Sequence, residues 1–262
     1  MNKKFFAAII TVVFSFSLLH AQMTKEESAK EAAKTEVWMP EPVIITPGAT
    51  AQDAPSDAII LFGGKNLDQW HADKDSTLPA GWDISDGVMT VNKKNGGITT
   101  KQRFTDYQLH LEWRVPENIT GTGQSRGNSG VFVANTANGD EGYEIQILDC
   151  YNNKTYVNGQ TGSVYKQIIP LANACKKPGS WQTYDIVWTA PRFNTDSSLK
   201  DAAYVTVIHN GVLLQNHVAI KGKTVWIGNP SYKAHGSSPI KLQAHGDPSE
   251  PLSFRNIWLR QL

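Results

Sequence analysis

From Asp57 to Leu262 the chain repeats one pattern, in which short runs of β-forming residues are separated by Gly, Asn and Pro turn signals. Representative runs are "AIILFG", "YQLHLEWRV", "YEIQILD", "TYDIVWTA" and "LSFRNIWLRQL". No long helical period competes with this alternation. Many evenly spaced short strands predict an all-β sandwich or jelly roll, and the stretch 57–262 fits a single domain of that type.

The N-terminus has the three-part layout of a secretory signal. A basic start at Asn2-Lys3-Lys4 precedes an apolar run from Phe5 to Leu19, and Ala21 supplies a small residue for cleavage. The run is too short to span a bilayer comfortably, and nothing after residue 22 could cross a membrane. We therefore expect residues 1–21 to be a cleaved signal peptide of an exported protein.

Residues 22–56 differ in composition from the rest of the chain. The stretch "TKEESAKEAAKTE" is charged and rich in Ala, which predicts a short helix or a solvated tether. The stretch "MPEPVIITPGATAQDAPS" is rich in Pro and small residues and is expected to run extended over a surface. These residues are predicted to link the signal peptide to the β domain.

Charge and cysteine content exclude some classes of function. The chain has 25 basic and 24 acidic residues, so no charge excess favours nucleic acid or an anionic surface. An oxidising compartment would permit one disulfide between Cys150 and Cys175, but two cysteines do not make a framework, and their state is left open. Most of the aromatic residues are expected in the core, although exported carbohydrate-handling proteins also use them as sugar platforms.

Three of the predicted strands carry long polar side chains on one face. The alternation groups His110 with Glu112, then Glu144 with Gln146, and finally Gln243 with Lys241 and His245. If these strands are neighbours in one curved sheet, the polar faces form one concave groove. Carboxylates and amides there would match sugar hydroxyls. A charged ladder across the sheet is the alternative for His110 and Glu112.

The order of several sequence blocks resembles one family. The blocks "LFGGKNLDQWH", "GWDISDGVMTV", "GNSGVFV", "PGSWQTYDIVWTAPRF" and "LQAHGDPSEPLSFRNIWLRQL" follow the order seen in the DUF1080 family, also called the 3-keto-disaccharide hydrolase domain. The resemblance covers about Asp57 to the C-terminus. It implies a concanavalin A-like jelly roll that acts on glycosides with a ketone at carbon 3. The lead-in "TEVWMPEPVIITPG" resembles that of Bacteroidetes members, which implies a periplasmic location.

The substrate class that the resemblance implies has a distinctive chemistry. A ketone at carbon 3 acidifies the hydrogen on carbon 2, and its removal gives an enediolate that expels the group on carbon 1. Water then adds to the enone. Such a site needs a base near carbon 2, a donor or metal at the ketone oxygen and an acid near the leaving oxygen. A separate sugar 3-oxidoreductase is expected to supply the ketone.

Glu144 and His245 are the candidates for base and acid, in an order that the sequence does not assign. Glu144, Gln146 and Asp149 stand at a spacing similar to the Glu, Asp and Glu of family-16 glycoside hydrolases. Gln146 cannot replace the middle carboxylate, so the two-carboxylate retaining mechanism is not favoured. Lys166 and Tyr165 lie on a long connection that could cover the groove, and Arg126 could meet a ketone oxygen. The residues predicted to bind substrate are Trp70, His110, Glu112, Arg126, Asn128, Gln146, Asp149, Lys166 and Gln243.

Two points stay open at the level of sequence. No Cys/His cluster has metal-ligand spacing, so no cofactor is certain, but dispersed Glu, Asp and His residues could hold a divalent metal. A non-catalytic, lectin-type carbohydrate-binding module on the same fold is the alternative to an enzyme. An aromatic-lined groove without clustered ionisable groups would favour that module.

Overall fold

The computed structural model describes residues 24–262, and the predicted signal peptide lies outside them. Of the described residues, those from 24 to 44 form a unit of their own, and Ile45 to Leu262 form a second, compact unit. In the first unit, helix α1 (Lys25–Ala33) is exposed along its whole length. It begins with a capping box in which Thr24 and Glu27 each accept a hydrogen bond from the other's backbone N–H. The charged, Ala-rich stretch therefore contains a short helix.

The second unit is built from antiparallel strands. In chain order they are β1 Ile59–Phe62, β2 Trp70–Ala72, β3 Asp83–Ser85, β4 Val88–Thr90, β5 Ile98–Thr100, β6 Tyr107–Arg114, β7 Ser129–Ala137, β8 Glu141–Ile147, β9 Gln182–Thr189, β10 Arg192–Phe193, β11 Leu199–Asp201, β12 Tyr204–His209, β13 Val212–Ala219, β14 Lys241–Leu242 and β15 Ser253–Gln261. One sheet has eight strands in the order β13-β12-β9-β6-β15-β4-β3, with β1 also paired to β15. A second sheet has the order β2-β5-β14-β7-β8, and β10 pairs with β11.

The two large sheets pack their apolar faces together. Leu111 and Trp113 from β6 and Val131 and Ile145 from β7 and β8 are all fully buried in one core. The buried hydroxyl of Tyr184 on β9 crosses between the sheets and donates to the Gln146 carbonyl at 2.6 Å. Paired antiparallel sheets around one apolar layer confirm the predicted jelly-roll sandwich. Among the described residues no helix is long and apolar enough to cross a membrane.

The segment 45–56 belongs to the compact unit, although its composition predicted a linker. The carbonyl oxygen of Gln52 accepts hydrogen bonds from Trp258 Nε1 at 3.0 Å and from Asn256 Nδ2 at 2.9 Å. The segment therefore covers part of β15, and the compact unit starts before Asp57.

The prediction that the three polar strand faces form one surface is wrong. Strand β6 lies in the eight-stranded sheet, whereas β8 and β14 lie in the five-stranded sheet. His110 contacts Asp185 at 2.7 Å and Glu112 accepts from Arg255 at 2.7 Å. These contacts form the charged ladder that was the alternative for this strand. The physical reason is that alternation assigns side chains to faces but does not say which strands become neighbours.

Candidate active site

The register of β14, β7 and β8 places polar side chains in rows across the five-stranded sheet. Lys241 pairs with Phe132, which pairs with Glu144. In the next row the Gln243 N–H donates to the Gly130 carbonyl, and Gly130 pairs with Gln146. Because side chains two residues apart share a face, both rows open onto the same side of the sheet.

A cavity of about 550 Å³ lies over these rows. Its lining combines a carboxylate pair, an imidazole, several amides and four aromatic rings. The lining residues are Gln124, Asn128, Phe132, Asp140, Glu144, Gln146, Tyr156, Tyr165, Thr224, Trp226, Gln243 and His245. The structure thus brings together the predicted residues Glu144, His245, Gln146, Asn128 and Gln243.

Glu144 is the most strongly perturbed carboxyl group in this cavity. It is only 5% exposed, and burial, followed by the charge of Asp140, raises its pKa to about 8, against an opposing effect of Lys241. A Glu with this pKa is mostly protonated at neutral pH. Its backbone is held on both sides, because its N–H donates to Thr224 Oγ1 at 3.0 Å and its carbonyl accepts from the Tyr165 N–H at 3.1 Å.

Lys241 is a buried cation beside Glu144. Its side chain is 1% exposed, and its Nζ lies 2.5 Å from Asp73 Oδ2 and 2.7 Å from Asp140 Oδ1. The same Nζ lies 5.5 Å from the centre of the Phe132 ring. The lysine therefore connects the buried Asp73 to Asp140 at the edge of the cavity.

His245 follows β14 and is held from behind by a carboxylate. Its Nδ1 lies 3.0 Å from Asp247 Oδ2, and the Asp247 N–H lies 3.2 Å from the same nitrogen. Burial acts to raise the pKa of Asp247, but hydrogen bonds from His245 and Ser249 and the charge of Lys93 together lower it. Asp247 is therefore ionised at neutral pH. The Asp247 N–H donates only to a bare Nδ1, whereas the carboxylate accepts only from Nδ1–H. The contact with the charged carboxylate is the shorter of the two and favours a hydrogen on Nδ1, which leaves Nε2 as the basic nitrogen.

Amides form the floor of the cavity. Gln146 Nε2 donates to Asn128 Oδ1 at 3.0 Å, and Asn128 Nδ2 donates to the Gln124 carbonyl at 2.8 Å. Gln243 Nε2 donates to Asp140 Oδ2 at 2.9 Å. The Oε1 atoms of Gln146 and Gln243 are buried and have no hydrogen-bond partner within residues 24–262. A buried acceptor without a partner is costly, so two acceptors are available for ligand hydroxyl groups.

Other predicted site residues lie outside the cavity lining. Arg126 Nε pairs with Asp149 Oδ2 at 2.6 Å, and Asp149 is fully buried. Lys166 Nζ donates to the Trp226 carbonyl at 2.7 Å. The buried Trp70 indole donates to the Leu61 carbonyl at 2.8 Å. In each of these three cases the polar group of the side chain is bonded to another residue of the protein.

Several lining residues were not predicted from the sequence. Tyr156, Trp226 and Thr224 come from irregular segments, Gln124 lies in a short 3₁₀ helix (Gly123–Ser125), and Asp140 comes from the turn between β7 and β8. Asp247 stands two residues after His245, and a carboxylate so close to a candidate catalytic histidine is a sequence signal that predicts their contact. For irregular segments no periodic signal was available.

Within residues 24–262 no group of three or more His, Cys, Asp or Glu side chains has the arrangement to hold a metal ion. Cys150 and Cys175 are free thiols in the structure. A hydrogen bond with the Cys175 thiol is the main effect that lowers the pKa of Cys150.

Solved structures resemble the chain over most of its length. A candidate glycosyl hydrolase from Parabacteroides distasonis ATCC 8503, solved at 2.13 Å resolution, is 56% identical; the match covers 93% of this chain and 98% of that chain, with a TM-score of 0.83. Another candidate glycosyl hydrolase from the same organism, solved at 2.00 Å, is 25% identical over 78% of this chain and 99% of that chain, with a TM-score of 0.56. Among curated proteins none matches.

A family model described as the 3-keto-alpha-glucoside-1,2-lyase-like domain matches residues 57–260. The match spans most of the chain and confirms the resemblance on which the sequence analysis relied. The chain belongs to the 3-keto-alpha-glucoside-1,2-lyase-like domain family.

Proposed function

We propose that this protein cleaves 3-keto-glycosides by removing the carbon-2 proton, expelling the aglycone and hydrating the product. Family membership and the similarity to candidate glycosyl hydrolases support a carbohydrate-active enzyme. One observation carries the reaction: Glu144, with its raised pKa, and His245, held by the Asp247 carboxylate, line the same cavity. A protonated carboxyl group and an imidazole in one site can serve as an acid–base pair.

His245 is the base in this proposal. The ionised Asp247 carboxylate accepts from Nδ1–H and stabilises the imidazolium that forms, so Nε2 can accept the carbon-2 proton. Histidine suits this step because its ordinary pKa lies near neutral pH. The two carbon-2 electrons then enter the enediolate, whose charge rests on the former ketone oxygen.

Glu144 is the acid in this proposal. With a pKa of about 8 its carboxyl group holds a proton at neutral pH and can deliver it to the leaving oxygen. As the carbon 1–oxygen bond breaks, the enediolate electrons form the carbon 1–carbon 2 double bond and restore the ketone. Glu144 then takes a proton from water as the water oxygen bonds to carbon 1 of the enone, and the imidazolium of His245 returns a proton to carbon 2, so both side chains regain their starting states.

The amides of the floor would bind the sugar. The unpartnered Oε1 atoms of Gln146 and Gln243 are acceptors for two hydroxyl groups. Asn128 and Gln146 already bond to each other, which fixes their positions before substrate enters. A lectin-type module would not need a buried, protonated carboxyl group and a carboxylate-held imidazole in one cavity, so the site favours an enzyme.

The substrate class also places the protein in a sequence of reactions. A ketone at carbon 3 must be made by a sugar 3-oxidoreductase, which we propose as the functional partner. Export to the periplasm is part of the same proposal and follows from the N-terminal layout of residues 1–21.

The test uses glucosides that are matched except for oxidation at carbon 3. Wild type should release the aglycone from the 3-keto-glucoside and little or none from the ordinary glucoside. Equal rates on both would overturn the elimination mechanism.

Deuterium oxide separates the two roles. His245→Gln should lose exchange of the carbon-2 hydrogen with solvent as well as aglycone release. Glu144→Gln should retain exchange, measured by NMR of recovered substrate, while release falls by about 10²–10⁴. If His245→Gln exchanges carbon 2 at the wild-type rate, the assignment of the base is wrong.

A further inference from the structure

Three aromatic side chains form one side of the cavity mouth, and we call Tyr156, Tyr165 and Trp226 the aromatic rim. All three line the cavity. Trp226 is 72% exposed and the adjoining Ile227 is 77% exposed, while Tyr156 and Val157 are also exposed. A cluster of exposed apolar side chains around a cavity mouth is a feature of binding sites.

The aromatic rim is fixed in place by backbone contacts with β8. Thr224 stands two residues before Trp226. Its N–H donates to the Gly142 carbonyl at 2.7 Å, and its Oγ1 accepts from the Glu144 N–H. The Tyr165 N–H donates to the Glu144 carbonyl. The segments that carry Trp226 and Tyr165 are therefore both hydrogen-bonded to the backbone of Glu144. The rim therefore lies on the Glu144 side of the cavity.

The polar groups of the aromatic rim bond mainly to one another. The hydroxyls of Tyr156 and Tyr165 lie 2.6 Å apart. Lys166 Nζ donates to the Trp226 carbonyl and lies 5.8 Å from the centre of the Tyr156 ring. The amide floor, in contrast, contains unpartnered acceptors. Hydroxyl groups of a ligand are therefore matched at the floor, whereas the rim presents ring faces.

We propose that the aromatic rim is an aglycone subsite that takes a flat aromatic leaving group. The inference rests on the proposed function, because the acid that protonates the leaving oxygen must lie beside the aglycone, and Glu144 adjoins the rim. An aromatic aglycone would stack on the exposed Trp226 ring, within the cavity that the two tyrosines also line. The subsite gives the enzyme a preference for aryl-bearing 3-keto-glycosides.

The test compares 2-phenylethyl and ethyl 3-keto-glucosides of the same anomer, whose leaving alcohols have similar basicity. In Trp226→Ala the kcat/KM for the phenylethyl glycoside, divided by that for the ethyl glycoside, should fall about tenfold. This is the effect expected from the loss of one stacking contact. Trp226→Phe should recover much of the ratio. Trp38→Ala is the matched control, since Trp38 is 78% exposed and belongs to the N-terminal unit, and the ratio should not change.

The outcomes distinguish the subsite from the proposed function. A wild type that turns over neither 3-keto-glucoside overturns the proposed function, and the subsite is then wrong as well. A wild type that turns over both, with Trp226→Ala lowering both equally, overturns only the aromatic subsite. A loss in Trp226→Ala that is larger on a 3-keto-disaccharide than on the phenylethyl glycoside also overturns it, because the rim would then be a platform for a second sugar.

Discussion

The side chain of Glu144 lies directly over Gly130 on the neighbouring strand β7. A Cβ atom at Gly130 would lie 2.4 Å from Glu144 Oε1, closer than real Cβ contacts allow. Gly130 pairs with Gln146, in the row next to the one that carries Glu144, and is itself buried. Because glycine has no side chain, the Glu144 carboxyl group can occupy the space above Gly130, and this fixes its position in the cavity.

Gly130→Ala should lower turnover while leaving the fold intact. The added methyl group must displace the Glu144 carboxyl group, and a displacement of about 1 Å in a catalytic group can cost ~10²-fold in rate. The displaced atoms are the far end of a flexible side chain, so the thermal midpoint should change by only a few degrees. Turnover of a 3-keto-glucoside and thermal unfolding measure the two effects.

Gly236→Ala is the matched control for this change, because a Cβ there meets nothing within 4 Å. It should behave as wild type in both measurements. Normal turnover in Gly130→Ala would mean that the position of the Glu144 carboxyl group does not matter to the reaction.

The raised pKa of Glu144 predicts how stability depends on pH. The folded pKa is about 8 and the ordinary value is 4.5, so between these values the folded state holds a proton that the unfolded state has lost. The contribution to stability is fully present below pH 4.5 and is lost as pH rises through about 8. The full change is at most roughly 5 kcal/mol at 1.36 kcal/mol per pKa unit.

Glu144→Gln removes this dependence and supplies the reference. Urea unfolding at pH 5, 7 and 9 should show wild type losing stability relative to Glu144→Gln as pH rises. Parallel curves for the two proteins would show that burial does not perturb this carboxyl group.

The alternation of polar and apolar residues predicted much of the part of the site that lies on the five-stranded sheet. Alternation placed Glu144 with Gln146 and Gln243 with His245, and the structure places all four in one cavity. The same reasoning failed for His110 and Glu112, whose strand shows the same alternation but pairs in the other sheet. Pairing depends on contacts between distant parts of the chain, which the period of one strand does not contain.

The rest of the site depends on long-range and irregular structure. Lys241 meets Asp73 across 168 positions of the sequence. Trp226 and Tyr156 come from segments without regular secondary structure or period. For such residues the sequence shows the side chain but not the backbone path that carries it to the cavity, so tertiary packing decides their role.

Asp247→Asn should lower activity without large loss of stability. The amide cannot stabilise the imidazolium that forms when His245 takes a proton, and it can present a donor to Nδ1, which favours the wrong tautomer. We expect kcat to fall by about 10–10³-fold with a smaller change in KM. Steady-state kinetics on a 3-keto-glucoside measure both constants.

Asp247→Glu is the conservative variant and should recover part of the activity if the carboxylate acts through His245. Asp196→Asn is a control, because the Asp196 carboxylate accepts hydrogen bonds from Ser198 in an exposed turn far along the chain from His245. A wild-type kcat in Asp247→Asn would show that the carboxylate does not position the base.

The last prediction concerns the buried cation Lys241. Lys241→Met keeps the length of the side chain but leaves the buried Asp73 carboxylate without its cation, which typically costs about 3–5 kcal/mol. The change should also raise the pKa of Glu144, because the lysine charge opposes the effects of burial and Asp140. The double variant Lys241→Met/Asp73→Asn removes both charges and should recover part of the lost stability. Urea unfolding of wild type, both single variants and the double variant measures the coupling, and the alkaline limb of the activity profile measures the pKa. If the effects of the two single changes on the free energy of unfolding are additive, Lys241 does not stabilise the Asp73 carboxylate. If the alkaline limb of the activity profile does not move, Lys241 does not lower the pKa of Glu144.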